Sequence, residues 1–242
     1  MPSPALLDAV GRVALVTGAA GGIGRAVVSL LEASGAGVAA FDRASHSLGG
    51  LPIIADVTDE LAMSNAVARV IAAFGRIDYL VHAAGFAKAT RLDAMSVSQW
   101  REVIDVNLTS AFLVTRAAYA ALKASRGAVV LFSSTNGRTG GSALSGPAYA
   151  VAKAGIINLN RYLAKEWAPD GIRVNCIAPG PVATPMLDRF SAIEQEALRT
   201  SIPLQHITSA DEIAAQVGFL LSTHARSITG ACLNVSGGLV LD

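Results

Sequence analysis

The chain has 242 residues, of which 52% are hydrophobic and 15% charged, and its formal net charge is +1. So many apolar side chains indicate a large buried core, which fits one domain spanning residues 1–242. The near-neutral charge, without any Lys/Arg run, argues against nucleic acid or acidic lipid as a partner. Cys176 and Cys232 stand far apart without a CxxC or Cys/His cluster, so we expect neither a disulfide framework nor a metal site.

The N-terminal residues 1–10 lack the basic region of a signal peptide. No stretch of the chain reaches the roughly 18 unbroken apolar residues that a membrane span needs. We therefore expect a cytoplasmic protein that does not bind a membrane.

Short runs rich in β-branched residues alternate with longer Ala- and Leu-rich segments, a pattern typical of βαβ units in a parallel sheet. Strands are predicted at 13–17, 37–41, 52–55, 77–82, 128–133, 172–178 and 231–235. Helices are predicted at 22–34, 59–74, 97–123 with a break, 148–168 and 210–221. Because the strands are nearly continuous apolar runs, helices should cover both faces. The predicted fold class is α/β, a Rossmann-like doubly wound sheet of seven mainly parallel strands.

Three irregular stretches, 43–50, 134–147 and 179–208, lie between these elements. Ligands of a doubly wound sheet bind at the carboxyl ends of its strands, where these loops emerge. The third stretch is long for a connection, so we expect a mobile substrate loop at about 181–208.

The first predicted strand runs directly into a glycine-rich turn. Residues 17–24 read Thr-Gly-Ala-Ala-Gly-Gly-Ile-Gly, and the first predicted helix begins inside that run. Glycine lets the backbone approach a diphosphate, which the helix N-terminus binds through free N–H groups and its dipole. We expect Gly18, Gly21, Gly22 and Ile23 to contact a dinucleotide, although a tight turn alone would also use glycines.

A carboxylate follows the second predicted strand. Asp42 lies about 20 residues after the glycines, where an acid accepts hydrogen bonds from the adenosine ribose and repels a 2′-phosphate. This position favours NAD over NADP, although the neighbouring Arg43 could pair with a 2′-phosphate. Asp56 and Val57, after the third predicted strand, are expected at the adenine. Alternatively, Asp56 or Thr58 caps the helix that follows.

Tyr149 and Lys153 are four residues apart, so a helix presents both side chains on one face. A protonated amine beside a phenol should lower the phenol pKa from about 10. The phenolate could then accept the proton of an alcohol as hydride leaves the carbon, and the phenol could protonate the alkoxide in the reverse direction. A solvated pair would be the ordinary alternative, but the segment 148–160 contains almost no other charge.

These motifs occur in one order over nearly the whole chain, which resembles the classical short-chain dehydrogenase/reductase (SDR) family. The resemblance rests on Thr17-Gly18-xxx-Gly22-Ile23-Gly24 and on Tyr149-xxx-Lys153. It implies a single-domain NAD(P)-dependent oxidoreductase, in most members a tetramer, that moves hydride between nicotinamide and a secondary alcohol or ketone.

The resemblance also implies two further catalytic residues. Asn107, on the helix after the fourth strand, is expected to hold a water that links Lys153 to solvent. Ser134, or its neighbour Ser133, is expected to orient the substrate oxygen, and we prefer Ser134. Either serine could instead cap a turn.

The Pro-Gly segment 179–184 resembles the part of the family that meets the nicotinamide, and Met186, Leu187 and Phe190 would lie in a lid or pack it on the core.

Two departures from the family are His82, where members show Asn, and a longer loop at 134–149, whose residues 140–144 should line the substrate entrance. We take His82 as a structural substitute. The residues expected to contact the cofactor are Gly18, Gly21, Gly22, Ile23, Asp42, Asp56, Val57, Ala83, Ala84, Gly85, Tyr149, Lys153, Pro179, Gly180, Val182 and Thr184.

The segments 111–122 and 148–163 are apolar around most of their circumference, so they should pair with copies of themselves in a homotetramer or homodimer.

The cofactor prediction is NAD, with NADP the weaker choice. One alternative function is an NADPH-dependent 3-oxoacyl thioester reductase, against which Asp42 counts. Another is a non-catalytic NAD-binding regulator. A serine hydrolase is not supported, because the chain has no GxSxG motif.

Overall fold

The computed structural model describes residues 7–185, 187 and 191–241. Seven strands form one sheet in the order β3-β2-β1-β4-β5-β6-β9, and β7 pairs with β8 beside it. The strands are β1 Val13–Thr17, β2 Gly37–Asp42, β3 Leu51–Ile54, β4 Tyr79–His82, β5 Ala128–Phe132, β6 Arg173–Pro179, β7 Val182–Ala183, β8 Thr208–Ser209 and β9 Cys232–Val235. The helices are α1 Gly22–Ala33, α2 Glu60–Phe74, α3 Val97–Ile104, α4 Ser110–Ser125, α5 Asn136–Thr139, α6 Pro147–Trp167, α7 Ala192–Ser201 and α8 Ala210–Leu221.

The sheet is covered by helices on both faces, because successive residues of each strand point to opposite sides. On β1, Val13 and Leu15 belong to one hydrophobic cluster and Ala14 and Val16 to the other. The first cluster takes its helical residues from α2, α4 and α6, and the second from α1 and α8. Every neighbouring pair in the seven-stranded sheet is parallel. The predicted Rossmann-like α/β fold class is therefore confirmed.

Several predicted boundaries were wrong. The third strand covers Leu51–Ile54 rather than 52–55, and the fourth begins at Tyr79 rather than 77. The expected break within 97–123 is instead a π-helical turn, Asp105–Thr109, between α3 and α4. The stretches 134–147 and 179–208, expected to be irregular, contain α5 and then β7, α7 and β8.

The site lies at the carboxyl edge of the sheet, next to β1, from which the strand order extends in both directions. Strand β1 is hydrogen-bonded to β2 on one side and β4 on the other. The loops after these strands diverge and leave a crevice, which is where doubly wound sheets bind ligands. None of the described helices is both long enough and apolar enough to span a bilayer.

Candidate active site

The glycine turn after β1 packs against the segment after β4. Gly18 has φ +69, and a Cβ built there would lie 2.5 Å from the Ala84 nitrogen and 2.6 Å from the Ala83 carbonyl carbon. Gly21 precedes α1 and supplies no side-chain cap, and the first turn of α1 carries no acidic residue. Because no described side chain caps this helix end, its first N–H groups can bind an anion such as a diphosphate.

Gly24, in the first turn of α1, is the tightest position of this turn. A Cβ there would overlap the Gly18 carbonyl oxygen and lie 2.9 Å from the Ala19 Cα. Both contacts are to backbone, which cannot rotate away. We expect Gly24→Ala to lower the free energy of unfolding by about 3 kcal/mol, despite the better helix propensity of alanine.

Urea unfolding of Gly24→Ala beside Gly21→Ala tests this expectation. Among the described atoms, a Cβ at Gly21 would meet only the Gly18 oxygen, at 3.3 Å, so that variant should stay within about 1 kcal/mol of the native protein. Equal losses in the two variants would show that the close approach at Gly24 does not constrain the turn.

A cavity of about 150 Å³ lies between this turn and the ends of β2, β3 and β4. Eight of the residues predicted to contact the cofactor line it, together with Arg43, which could pair with a 2′-phosphate, and two residues that were not predicted. The predicted ones are Gly18, Gly21, Asp42, Asp56, Val57, Ala83, Ala84 and Gly85, and the others are Arg43, Phe86 and Val106. Phe86 directly follows the Ala-Ala-Gly segment, so its position could have indicated this role, whereas Val106 carries no such signal.

Asp42 connects the end of β2 to the glycine turn. One carboxylate oxygen, Oδ2, accepts the Ala20 N–H at 2.9 Å, and the other accepts the Ala44 N–H at 2.9 Å. Asp56 accepts hydrogen bonds from the Thr58 N–H and hydroxyl, which lower the pKa of its carboxyl. The alternative that Asp56 or Thr58 caps the following helix was wrong, because Asp59 caps α2 by accepting the N–H groups of Leu61 and Ala62. Asp56 holds the preceding turn and lines the cavity.

The segment after β6 lies over the start of α1. A Cβ at Gly22 would be 2.6 Å from the Thr184 Cγ2, so Thr184 covers the glycine turn. Pro179 accepts the Thr135 N–H at 3.0 Å, the Gly180 N–H donates to the Val235 oxygen at 2.9 Å, and Val182 pairs with Thr208.

Of the three predicted lid residues, Leu187 is partly buried, and its N–H donates to the Thr184 oxygen at 2.7 Å. Met186 and Phe190 lie outside the described residues.

Tyr149 and the serine pair meet where β5 ends beside α6. The Ser134 side chain is hydrogen-bonded to Tyr149, which opposes the effect of burial on the phenol pKa. Ser133 instead donates to the Lys153 carbonyl oxygen at 2.8 Å. The two serines are thus distinguished, because only Ser134 is hydrogen-bonded to the phenol.

Lys153 is buried beside Tyr149, with 4% of its surface exposed. Its Nζ donates to the Phe132 oxygen at 2.9 Å and lies 5.5 Å from the centre of the Tyr149 ring. Burial lowers the pKa of Lys153 to about 8.

The expectation that Lys153 lowers the pKa of the Tyr149 phenol was wrong. Burial raises that pKa, and the hydrogen bond with Ser134 opposes the rise only in part. The phenol therefore keeps its proton at neutral pH.

Asn107 lies in the π-helical turn and is fully buried. Its Nδ2 donates to the oxygens of Phe86 and Val103, both at 2.9 Å, while its Oδ1 has no partner among the described residues. A Cβ at Gly85 would lie 2.7 Å from this Oδ1 and 3.2 Å from the Lys153 Nζ. The asparagine oxygen and the lysine amine thus converge on one glycine, next to the cavity.

His82 ends β4 beneath this group of residues. Its Nδ1 is 2.6 Å from the Thr17 Oγ1, and its Nε2 is 3.0 Å from the Ser110 Oγ. Burial, and then the charge of Lys153, lower its pKa to about 3, so the ring is neutral at pH 7. Within the described part of the chain, no group of three or more His, Cys, Asp or Glu side chains is placed to hold a metal ion.

Comparison with known proteins agrees with this geometry. The family model described as Enoyl-(Acyl carrier protein) reductase matches residues 18–240. The Escherichia coli (strain K12) 3-oxoacyl-[acyl-carrier-protein] reductase FabG is 34% identical over 241 residues, covering 96% of this chain and 98% of that protein. The acetoacetyl-CoA reductase of Acinetobacter sp. (strain RA3849) is 36% identical, covering 95% and 98%.

Solved structures give the same result. The aldohexose dehydrogenase of Thermoplasma acidophilum matches with a TM-score of 0.89 at 29% identity, over 97% of this chain and 94% of that one. A short-chain dehydrogenase/reductase of Brucella melitensis, described as a glucose/ribitol dehydrogenase, matches with a TM-score of 0.90 at 30% identity, over 98% and 99%. With the glycine turn, the Tyr149–Lys153 pair and these relatives in agreement, the chain belongs to the short-chain dehydrogenase/reductase family of oxidoreductases, which act on CH–OH or keto groups.

Proposed function

We propose that this protein is an NAD-dependent oxidoreductase that transfers a hydride between nicotinamide and a secondary alcohol or ketone, with Tyr149 as the acid/base. The observation that carries the proposal is the convergence of three side chains. Tyr149 is hydrogen-bonded to Ser134, and the Lys153 Nζ lies 5.5 Å from its ring centre. The site thus brings together a proton donor, a second hydroxyl and a cation. Such groups can exchange a proton with the oxygen of a secondary alcohol and stabilise charge on it.

In this proposal the nicotinamide, when bound, supplies the hydride acceptor or donor. Tyr149 takes the proton of the alcohol hydroxyl during oxidation and returns it to the carbonyl oxygen during reduction. Ser134 hydrogen-bonds the same substrate oxygen and stabilises the charge that develops on it. Lys153, which is mostly protonated at pH 7 given a pKa of about 8, stabilises the phenolate that oxidation needs.

Asn107 would help to return the proton to solvent by holding a water molecule. Its buried Oδ1 lacks a partner within the described part of the chain, and a buried polar atom of this kind is commonly satisfied by water. We infer that a water molecule hydrogen-bonded to both this oxygen and the Lys153 Nζ connects the lysine to solvent. Asn107 thereby acts on the proton path without touching the substrate.

The residues around the cavity fit the adenosine half of a dinucleotide. The first turn of α1, from Gly22, would offer N–H groups to the diphosphate, Asp42 would offer carboxylate oxygens to the ribose, and Val57 lines the adenine end. Thr184, together with Pro179 and Val182, would meet the nicotinamide half. Asp42 already accepts backbone N–H groups at both oxygens, so it is held in place as a fixed negative charge against a 2′-phosphate.

Replacing Asp42 by alanine tests the cofactor choice. We expect Asp42→Ala to reduce the ratio of kcat/KM for NAD⁺ to that for NADP⁺ by about 100-fold, because the repulsion of the 2′-phosphate disappears while Arg43 remains. Asp93→Asn is the control, since it removes the same charge from an exposed site outside the cavity. An unchanged ratio in Asp42→Ala would show that Asp42 does not select the cofactor.

A second candidate function is an NADPH-dependent 3-oxoacyl thioester reductase. It is favoured by the relatives named 3-oxoacyl-[acyl-carrier-protein] reductase and acetoacetyl-CoA reductase. Acetoacetyl-CoA offered with NADPH or NADH decides between the two. Efficient reduction with NADPH, and none of simple secondary alcohols with NAD⁺, would favour the reductase. A non-catalytic regulator would bind the cofactor and turn over neither substrate.

We further propose that residues 1–242 act as one dinucleotide-binding domain, with the substrate loop at about 181–208, in a cytoplasmic homotetramer. The exposed apolar residues Phe112 on α4 and Val151 on α6, 46% and 49% exposed, support assembly through these helices. Sedimentation of the purified protein measures the subunit number, and a monomer at micromolar concentration would contradict this assembly.

A further inference from the structure

His82 is a buried titratable side chain that has no part in the proton transfer proposed above. It is 2% exposed and ends β4 in register with Thr17, the last residue of β1. Its low pKa keeps the ring neutral, and a neutral imidazole has one nitrogen that donates and one that accepts. The direction of its two hydrogen bonds therefore has to be assigned.

The neighbours of His82 assign that direction. Ser110 donates its single hydroxyl hydrogen to the Val106 oxygen at 2.7 Å, so it accepts at its contact with the His82 Nε2. Nε2 is then the protonated nitrogen, and Nδ1 accepts from the Thr17 hydroxyl. Thr17, His82, Ser110 and Val106 thus form one directed series of hydrogen bonds, which we call the His82 chain.

The His82 chain joins the two halves of the site. At one end, Thr17 immediately precedes Gly18, whose backbone packs on Ala84. At the other end, Val106 precedes Asn107 within the π-helical turn and lines the adenosine cavity. Ser110 closes this wide turn twice, because its N–H donates to the Asp105 oxygen and its hydroxyl to Val106.

We propose that His82 is a positioning residue, which holds the π-helical turn against the end of β1 and so places the Asn107 oxygen beside Lys153. The inference rests on the proposed function, since the place of Asn107 matters only if Lys153 assists Tyr149. A π-helical turn is wider than an α-helical turn and is rare within helices. The hydrogen bond from the His82 Nε2 anchors it to the sheet through a side chain rather than through the backbone.

Two conservative variants separate the two ends of the imidazole. The amide of glutamine lies at the same number of bonds from the backbone as Nε2, so His82→Gln can still donate to Ser110. The amide of asparagine matches Nδ1 instead, so His82→Asn can reach Thr17 but not Ser110. We expect His82→Gln to keep kcat within about threefold, and His82→Asn to lower it about tenfold with the cofactor Kd unchanged.

Ser110→Ala should reproduce the effect of His82→Asn, and the double variant should be no slower than either single one, because both break the same link. The pH profile of kcat should shift in the same direction in both, since the link acts through the proton path. Val81→Ala is the control for general loss of packing. Val81 is buried next to His82 on β4 but packs on the opposite face of the sheet, so it should lower the unfolding temperature and leave the pH profile unchanged.

Native kcat in His82→Asn would overturn the inference, as would additive losses in the double variant or a pH profile that moves equally in Val81→Ala. Failure of the proposed function is distinguishable, because it would be seen as undiminished turnover in Tyr149→Phe.

Discussion

Tyr149→Phe is expected to lower kcat by about 10³-fold, the typical contribution of a positioned acid/base. The substitution removes only the hydroxyl oxygen and retains the ring that lies beside the Lys153 amine. The fold and the adenosine cavity should therefore be unchanged, and the cofactor Kd should stay within about threefold. Burial raises the pKa of this phenol, so we expect reduction, which needs the protonated form, to work at lower pH than oxidation.

Stopped-flow or steady-state absorbance of the reduced nicotinamide measures this loss. The control is Tyr162→Phe, a tyrosine on the same helix that is 62% exposed and bonds only to Glu166 among described groups. It should keep native kcat. Equal activity in Tyr149→Phe and Tyr162→Phe would remove Tyr149 from the mechanism.

Lys153→Met is expected to change activity and stability in opposite directions. Loss of the cation should lower kcat by about 10²-fold, because the positive charge that stabilises the phenolate is removed. The free energy of unfolding at pH 7 should rise by about 1 to 2 kcal/mol, since burial of the charged amine is costly. This gain is limited by the Phe132 oxygen, which loses the 2.9 Å hydrogen bond it accepts from Nζ.

The pH dependence of this gain has a definite sign. The pKa of Lys153 is about 8 in the folded protein and 10.5 as its ordinary value, so the unfolded chain binds more protons between these limits. Native stability therefore rises as pH increases from 8 to 10.5. The advantage of Lys153→Met should be full below pH 8 and fade above it. Urea unfolding at pH 7 and pH 10 measures this, with the exposed Lys165→Met as control. A destabilised Lys153→Met at pH 7 would mean that burial does not penalise this charge.

Much of the fold could be predicted from local patterns. The first strand was predicted at its observed bounds, because a run of five buried residues leads directly into the glycine turn. The edge strand β3 was misplaced by one residue, since its limits are set by pairing with β2. It is half exposed and contains Pro52, which is tolerated at a sheet edge. Its sequence therefore carried a weaker signal than the central strands.

The parts of the site that a single short motif specifies were predictable from the sequence. The parts formed where segments distant in sequence meet were less predictable. The glycine turn, Asp42 and the Tyr149–Lys153 pair could be found because each is compact in sequence. The π-helical turn could not be found in this way, because it depends on Ser110 and on its contact with His82, which lies far away in sequence on β4. The direction of the Tyr149 pKa shift was missed for the same reason: helical spacing places the amine near the phenol, but the burial that raises the pKa depends on segments distant in sequence.

The most direct test of the central claim is absorbance at the reduced-nicotinamide band while NAD⁺ or NADP⁺ is offered with a panel of secondary alcohols. The account predicts turnover with at least one alcohol, faster with NAD⁺ than with NADP⁺, and lost in Tyr149→Phe. Cofactor binding without turnover of any alcohol or ketone would contradict the assignment of an enzyme, and a clear preference for NADP⁺ would contradict the role given to Asp42.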